Sequence, residues 1–454
     1  MNFIKKISAG LFYLLAFLLP LQTRLIIRPG IVNLGYLEYG TISLYLTDII
    51  LVVFLSVLVL NLALPTRKKF IQFNLGQAGN KWDYALIALA LLELAVFISV
   101  WFAPYKLLAL YKYILFLGGI AIFLLVRQGQ FFSRLKFIYS LLAGIFLQAL
   151  LAIYQFVTQS TFACKFLGLA SHDSALPGVS VVETYDRSGL LWRWLRAYGG
   201  LDHPNMLGGV LAIGLILIIW LLLERKHWGI KTENYRLYLI INYFGLFFIA
   251  AALILTFSRA AYLAAGLGAA IMILINGRCC LKKNINPKSL DCRLTVGIGL
   301  ALVVIWSLVF SIVDVRFQNY NRLQQISYNE RAGGYSEALK LIAEKPFTGW
   351  GLGNYYIASF SHDPYYPAFH YQPVHNVFML VAAEIGLPGL LFFVAFLAVL
   401  LWEKIKGWKI NGPGLALLAA CLVISLVDHW FFSLHFGVFF VWLVLGIVAW
   451  EKKE

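Results

Sequence analysis

The sequence predicts an all-α integral membrane protein of about twelve transmembrane helices, with a long, partly helical extracytoplasmic loop before the last three spans. Three observations lead there. Of 454 residues, 61% are hydrophobic and 13% charged, whereas a soluble domain carries roughly 25% charged residues; so little charge cannot coat a water-exposed surface of this size. The mean hydropathy of +0.80 excludes disordered, collagen-like and disulfide-scaffold chains. The apolar residues also gather into runs long enough to cross a bilayer as helices, about 17–25 residues each.

Twelve such runs stand at 8–27, 44–64, 84–102, 107–126, 135–157, 204–223, 237–257, 260–276, 294–313, 376–400, 413–431 and 434–450. The first is too long for a cleaved signal peptide, and Thr23, Arg24 and Arg28 follow it in place of a small-residue cleavage site. Runs 237–257 and 260–276 are separated by little more than Ser258 and Arg259, the mark of a tight helical hairpin. The chain thus divides into spans one to nine over 1–313 with an outer segment at 158–203, a long outer loop at 314–374, and three last spans over 375–454.

The net charge of +16 suggests a nucleic-acid partner until the basic residues are placed. With the N-terminus in the cytoplasm, the inner segments hold Lys5 and Lys6; Arg67, Lys68, Lys69 and Lys81; Arg127, Arg134 and Lys136; Arg225, Lys226, Lys231 and Arg236; Arg278, Lys282, Lys283, Lys288 and Arg293; Lys404, Lys406 and Lys409; and Lys452 and Lys453. These are 23 of the 37 basic residues. Most lie in short loops, where positive charge records orientation. Both termini are expected inside, the partner is the lipid bilayer, and no nucleic acid is expected. Cys279, Cys280 and Cys292 share one polar stretch without a histidine, so no metal site is expected there.

That orientation gathers the unusual polar residues on the outer face. Segment 190–205 reads LLWRWLRAYGGLDHPN. Its Trp192, Trp194 and Tyr198, interleaved with Arg193 and Arg196, fit an amphipathic piece in the membrane interface. Asp202 is expected at or near the N-cap of the following helix, with His203 a helix-start residue or a binding group. Arg259 stands at the outer tip of the hairpin. It either snorkels at the boundary or binds an anion, since a guanidinium grips phosphate bidentately.

In NERAGGYSEALKLIAEKPFTGWGLGNYY, Asn329 is the expected N-cap, Tyr335, Leu339 and Ile342 form an apolar stripe, and Pro346 ends the helix. Arg331 near that helix start opposes the macrodipole, which marks it as a functional candidate. Gly349, Gly351 and Gly353 follow as a turn, without the strand and Lys-Ser/Thr of a phosphate-binding loop. His375 stands where the loop enters the next span, behind Pro373; an interfacial imidazole there can take a proton from a hydroxyl. Asp48, Glu93, Lys112 and Glu384 are ionisable groups inside spans, where charge is costly and usually paired; they either hold the bundle together or mark a proton path.

The stretches FSRAAYLAA around Arg259, ERAGGYSEALKLIAEKPFTGWGLGNY around Arg331, VHNVFMLVAAEIGLPGLL around His375 and the terminal VDHWFFSLHFGVFFVWLVLG resemble the O-antigen ligase family, which is related to O-antigen polymerases and bacterial protein O-oligosaccharyltransferases. The resemblance covers about residues 195–450. It implies a membrane glycosyltransferase of the GT-C type that moves a glycan from undecaprenyl diphosphate to a hydroxyl of a glycan or glycolipid acceptor outside the cytoplasmic membrane. No cofactor, metal or nucleotide sugar is expected. By the same resemblance, Arg259 and Arg331 would hold the diphosphate, His375 would be the catalytic base, and His203, Arg196 and Arg193 are less secure substrate-binding candidates. A polymerase, using a second lipid-linked glycan as acceptor, shares this chemistry. A transporter or flippase would instead place its charged groups along a central path.

Overall fold

In hydrocarbon every backbone N–H and C=O must find its partner inside the protein, and a helix achieves this within one segment. The computed structural model obeys that rule and is mostly helical. It describes residues 2–63, 83–129, 131–176, 178–186, 188–224, 228–230, 234–280, 290–317, 322–406 and 411–450. Helix α1 (Asn2–Leu18) leads into four short strands, β1 (Arg24–Arg28), β2 (Ile31–Val32), β3 (Gly35–Tyr36) and β4 (Ile42–Tyr45), with β1 antiparallel to β4 and β2 to β3. Helices α2 (Leu46–Ala63), α3 (Tyr84–Phe102), α4 (Lys106–Gln128) and α5 (Arg134–Thr158) follow, then a hairpin of β5 (Val181–Tyr185) and β6 (Leu191–Leu195).

The second half is built from α6 (Pro204–Leu223), α7 (Tyr235–Leu255), α8 (Arg259–Cys280), α9 (Leu290–Leu308), α10 (Phe310–Phe317), α11 (Arg322–Glu344), α12 (Tyr355–His362), α13 (Val377–Ile405), α14 (Gly412–Val427), α15 (Trp430–Ser433) and α16 (His435–Val448). Six helices, α3 to α7 and α13, are long and apolar enough to cross a membrane, and α2, α8, α9, α14 and α16 carry shorter apolar stretches. The chain is an all-α membrane protein with few strands. Of the basic residues assigned to inner loops, Arg67, Lys68, Lys69, Lys81, Arg225, Lys226, Lys231, Lys282, Lys283, Lys288, Lys409, Lys452 and Lys453 lie outside the described residues, as do the side chains of Cys279, Cys280 and Cys292.

Four local expectations are corrected. The first apolar run is not one helix: α1 stops at Leu18, ahead of Pro20, and 24–28 becomes strand β1, because proline cannot continue a helix. Run 294–313 is divided between α9 and α10. Segment 190–195 is a strand and not a free amphipathic piece; Trp192 and Trp194 face Thr184 and Val182 across the hairpin, the aromatic and β-branched pairing that stabilises a ladder. Helix α11 begins at Arg322, seven residues before Asn329. Arg331 therefore sits in mid-helix, and the macrodipole argument does not apply to it.

Helix α6 is the axis of the bundle, with 78% of its apolar window buried against 33–50% for the other five long helices. Two adjacent small residues set what it can approach. A Cβ on Gly208 would meet Ala261 Cβ at 2.7 Å, and one on Gly209 would meet Trp430 Cζ2 at 2.7 Å. Bare backbone there lets α6 press against the α7–α8 turn on one side and the α14–α15 junction on the other, the close approach that small residues give membrane helices.

Helix α13 is broken at Gly386 (φ 83°), two residues before Pro388. The freed backbone groups at membrane depth are met by the chain that follows α11: Leu387 N–H donates to Pro346 O at 2.7 Å, Trp350 N–H to Ala383 O at 2.8 Å, and Gly351 N–H to Glu384 O at 2.8 Å. Gly349, at φ 65°, lies so close to this break that a Cβ would stand 2.4 Å from the Glu384 carbonyl. The glycine-rich stretch is thus a backbone dock for a broken helix. The Glu384 carboxylate accepts from Gly353 N–H (2.7 Å) and Tyr355 N–H (3.2 Å), at the start of α12. The other ionisable groups singled out inside spans are partnered too: Asp48 with His435 at 2.6 Å, Glu93 with the Tyr113 hydroxyl, and Lys112 with the Ser433 carbonyl at 2.8 Å.

Candidate active site

Three structural features converge at one end of α6. The first is the α7–α8 turn, where Phe257 takes a left-handed conformation (φ 50°) and Arg259 opens α8 with an exposed side chain. A left-handed bulky residue is strained; here it lets the chain reverse within Thr256, Phe257 and Ser258. The second is α11, which carries Arg331. Its Nε is buried and meets no hydrogen-bond acceptor. The two guanidinium groups feel one another's charge, and among the described residues no carboxylate forms an ion pair with either. Neighbouring cations that form no ion pair among the described residues are a ready site for an anionic ligand.

Arg196, just past β6, is the third arginine of the group. It is buried, donating from Nε to the Thr256 carbonyl at 2.8 Å and from a terminal nitrogen to Asn205 Oδ1 at 2.8 Å. Burial, with Arg331 and Arg259 nearby, lowers its pKa to about 10. Its hydrogen bonds are spent on the α7–α8 turn and on α6, so it braces the Arg259 turn. Arg193 stands apart from this cluster: its Nε lies 3.6 Å from Glu183, which also takes Arg322 at 3.1 Å.

The third feature is the α14–α15 junction, where Asp428 and His429 come between the two helices. Asp428 is buried; Oδ1 accepts the His429 N–H at 2.8 Å and Oδ2 accepts Asn205 Nδ2 at 3.2 Å. Burial by itself would raise its carboxyl pKa, but His429, His375, His203 and the His429 N–H outweigh burial and hold it low. Asp428 stays charged. His203, not Asp202, is the N-cap of α6: Nδ1 accepts the Asn205 N–H at 3.1 Å, and Nε2 lies 2.9 Å from Ser180 Oγ.

His375 stands just ahead of α13, its ring 5.0 Å from that of His429 in an edge-to-face arrangement. Burial lowers its pKa, Asp428 and Glu330 pull it back up, and Arg331 lowers it further; the balance lies below the ordinary 6.5. Burial and His375 drive His429 down to about 3 against the pull of Asp428, and its Nδ1 is 2.7 Å from Ser433 Oγ. Burial favours the neutral form of both imidazoles. His375 is free to accept a proton, and Asp428 stands by to stabilise the imidazolium.

Residues 244–394 match the O-antigen ligase family model. The matched stretch falls within the region whose motifs resemble this family in the sequence. No curated protein matches the chain. The matched stretch runs from within α7 to the middle of α13 and contains Arg259, Arg331, His375 and the Gly386 break. The O-antigen ligase match implies a ligase- or polymerase-type membrane protein that processes glycans with glycosyltransferase-like activity.

The structure brings together Arg259, Arg331, Arg196, His203 and His375, which lie far apart in the chain, and leaves Arg193 outside. Sequence reasoning passed over Asp428, although it lies in the quoted VDHWFF. An aspartate directly before histidine at the end of an apolar run was the available signal. His370 stacks on Tyr366 at 4.0 Å in a separate cluster. His203 and His429, by contrast, share the Asp428 group with His375.

Proposed function

We propose that the chain is an O-antigen ligase-like glycosyltransferase that moves a glycan from undecaprenyl diphosphate to an acceptor hydroxyl on the outer side of the cytoplasmic membrane. The observation that carries this reading is the juxtaposition of two unpaired arginines with a neutral histidine backed by a buried aspartate. Arg259 and Arg331 hold the diphosphate and take up the charge that develops as the glycosidic bond breaks. His375 removes the acceptor proton. The acceptor oxygen attacks the anomeric carbon as the carbon–oxygen bond to the diphosphate breaks. The electron pair leaves with the lipid diphosphate, the proton stays on His375, and the anomeric configuration inverts. Asp428 offsets the positive charge that arrives on the imidazole.

The test is to supply purified protein with a lipid-linked glycan, together with either rough lipopolysaccharide or a second lipid-linked glycan. Product on the lipopolysaccharide identifies a ligase, and a longer lipid-linked chain identifies a polymerase. Neither product would overturn the reading. Orientation is tested separately. Cys164 is half-buried in the segment before β5; an impermeant thiol reagent should label it in spheroplasts while Cys279, Cys280 and Cys292 stay protected.

A further inference from the structure

The β5–β6 hairpin carries an aromatic ladder that runs from its exposed face to the turn bearing Arg259. Trp192 and Trp194 are two residues apart on β6 and so share one face of the hairpin. Their rings are nearly parallel, 25° apart, with centres 6.4 Å from one another. Trp194 in turn lies 6.3 Å from Phe156 near the end of α5, at 24°, and Phe156 lies 5.7 Å from Phe257. Phe257 is two residues ahead of Arg259. The backbone follows the same route: Leu195 N–H donates to Gln159 Oε1 at 2.7 Å, and Ala197 N–H to the Leu255 carbonyl at 3.1 Å.

The outermost ring is open, and it is held in place. Trp192 is 51% exposed, while Trp194 behind it is half-buried. The Trp192 indole N–H donates to Asp186 Oδ2 at 3.3 Å, and that of Trp194 to Thr184 Oγ1 at 3.0 Å. Asp186 is itself fixed by the Ser188 hydroxyl at 2.6 Å and the Leu190 N–H at 2.9 Å, which hold its carboxyl below the ordinary carboxylate range. Both indole N–H groups are thus committed within the hairpin, and what Trp192 has left to offer is its face. A tryptophan anchored at the membrane interface keeps its N–H for headgroups and water. An ionised carboxylate on the edge of Trp192 belongs in water, so this ring is not sunk in the bilayer.

We propose that Trp192, held in place by Trp194, stacks against a sugar ring of the donor glycan, beyond the sugar joined to the diphosphate. This deepens the proposed function and rests on it. A pyranose ring shows weakly positive C–H bonds on its flat face and hydroxyls on its rim. An aromatic ring carries negative charge on its face, so the two stack. The inner end of the ladder assigns the site to the donor: it stops beside Arg259, where the diphosphate is held, whereas the acceptor hydroxyl meets His375 ahead of α13. A ring already fixed by its neighbours loses little freedom on binding, which favours capture of a flexible chain.

The test uses full-length protein in nanodiscs and a lipid-linked glycan from the cells that make it, at full length or trimmed enzymatically to its first sugar. Equilibrium binding of both radiolabelled lipids is measured for the wild type, Trp192→Leu and Trp192→Phe. Leucine keeps an apolar side chain without an aromatic face, so losing the stack should raise the Kd for the full-length donor about 2- to 10-fold, with the trimmed donor unmoved. Phenylalanine keeps a face and should restore most of the affinity. Wild-type affinity in Trp192→Leu, as a membrane anchor would give, overturns the proposal. So do equal losses for both donors, as a folding defect would give, and a Trp192→Phe variant as weak as Trp192→Leu. If the wild type binds neither lipid, the glycosyltransferase reading fails and this inference falls with it; wild-type binding with an unchanged ratio of the two donors in both variants sinks the stacking site alone.

Discussion

Asp428→Asn is the substitution that separates a charge effect from a shape effect at the candidate site. The variant keeps the volume and the oxygen that accepts the His429 N–H at 2.8 Å. It loses the charge, and it places an NH2 against Asn205 Nδ2, now 3.2 Å from Oδ2. Asn205 cannot simply turn over, because its oxygen accepts Arg196 at 2.8 Å. One buried donor is left unsatisfied, a cost of about 1–3 kcal/mol in stability. The effect on transfer is separate. Asp428 acts on the His375 ring through its charge, and unit charges in close approach at an effective dielectric constant of about 20 attract by up to about 4 kcal/mol. Losing the anion that steadies the His375 imidazolium should therefore slow the chemical step on the order of 100-fold. The pH profile gives a second readout. Asp428 raises the His375 pKa, so its removal lowers that pKa and moves the acidic limb of the rate profile to lower pH. The assay is single-turnover transfer with donor saturating, across pH, beside a thermal melt. A variant that melts slightly earlier but keeps both the wild-type plateau and the wild-type limb would refute the assignment of Asp428 to the base.

Three further outcomes are expected. His375→Ala should lose roughly 10²–10⁴-fold in turnover, the range for a positioned general base, while retaining donor binding; His370→Ala, outside the cluster, should lose far less, and equal losses would remove His375 from the mechanism. Arg259→Lys and Arg331→Lys should each raise the donor Kd and slow transfer, since an ammonium cannot make the planar fork; full activity in both would end the bidentate diphosphate account. Gly386→Ala should destabilise the protein by about 1–3 kcal/mol from its backbone conformation alone, with more from a Cβ placed 2.4 Å from the Phe347 carbonyl; an unchanged melting temperature would show that the α13 break is not held by the docked loop.

How much of this was legible without coordinates depended on whether the cause was local. Helix positions were legible: α3 to α7, α13 and α14 fall close to the apolar runs, because in lipid a run of apolar side chains and a self-satisfied backbone impose one answer. Arg259 stood out in the sequence as a charge at the tip of a hairpin between two apolar runs, whereas Arg331 was singled out by a helix-start argument that its mid-helix position removes. Strand β1 was missed because its partner β4 lies further along the chain and an apolar run such as RLIIR reads alike in strand and helix. The β5–β6 hairpin is local, and the aromatics and arginines of its second strand read instead as an interfacial amphipathic piece. The start of α11 was misplaced by seven residues because an asparagine that can cap a helix does so only where the chain enters one.

What only the tertiary structure decided was the company each group keeps. The glycines before α12 read as a turn, and their role emerged only when the break in α13 was found with its backbone groups bonded to them. Glu384 could pair or relay protons until Gly353 and Tyr355 were seen donating to it. Asp428 drew no attention inside the run 413–431, and it became central because Gly208 and Gly209 let α6 bring Asn205 and His203 to the same place as His429 and His375. Hydropathy and charge act along the chain and are written in order. Proximity between residues 196, 259, 331, 375 and 428 is a property of packing, fixed by where small side chains let helices touch.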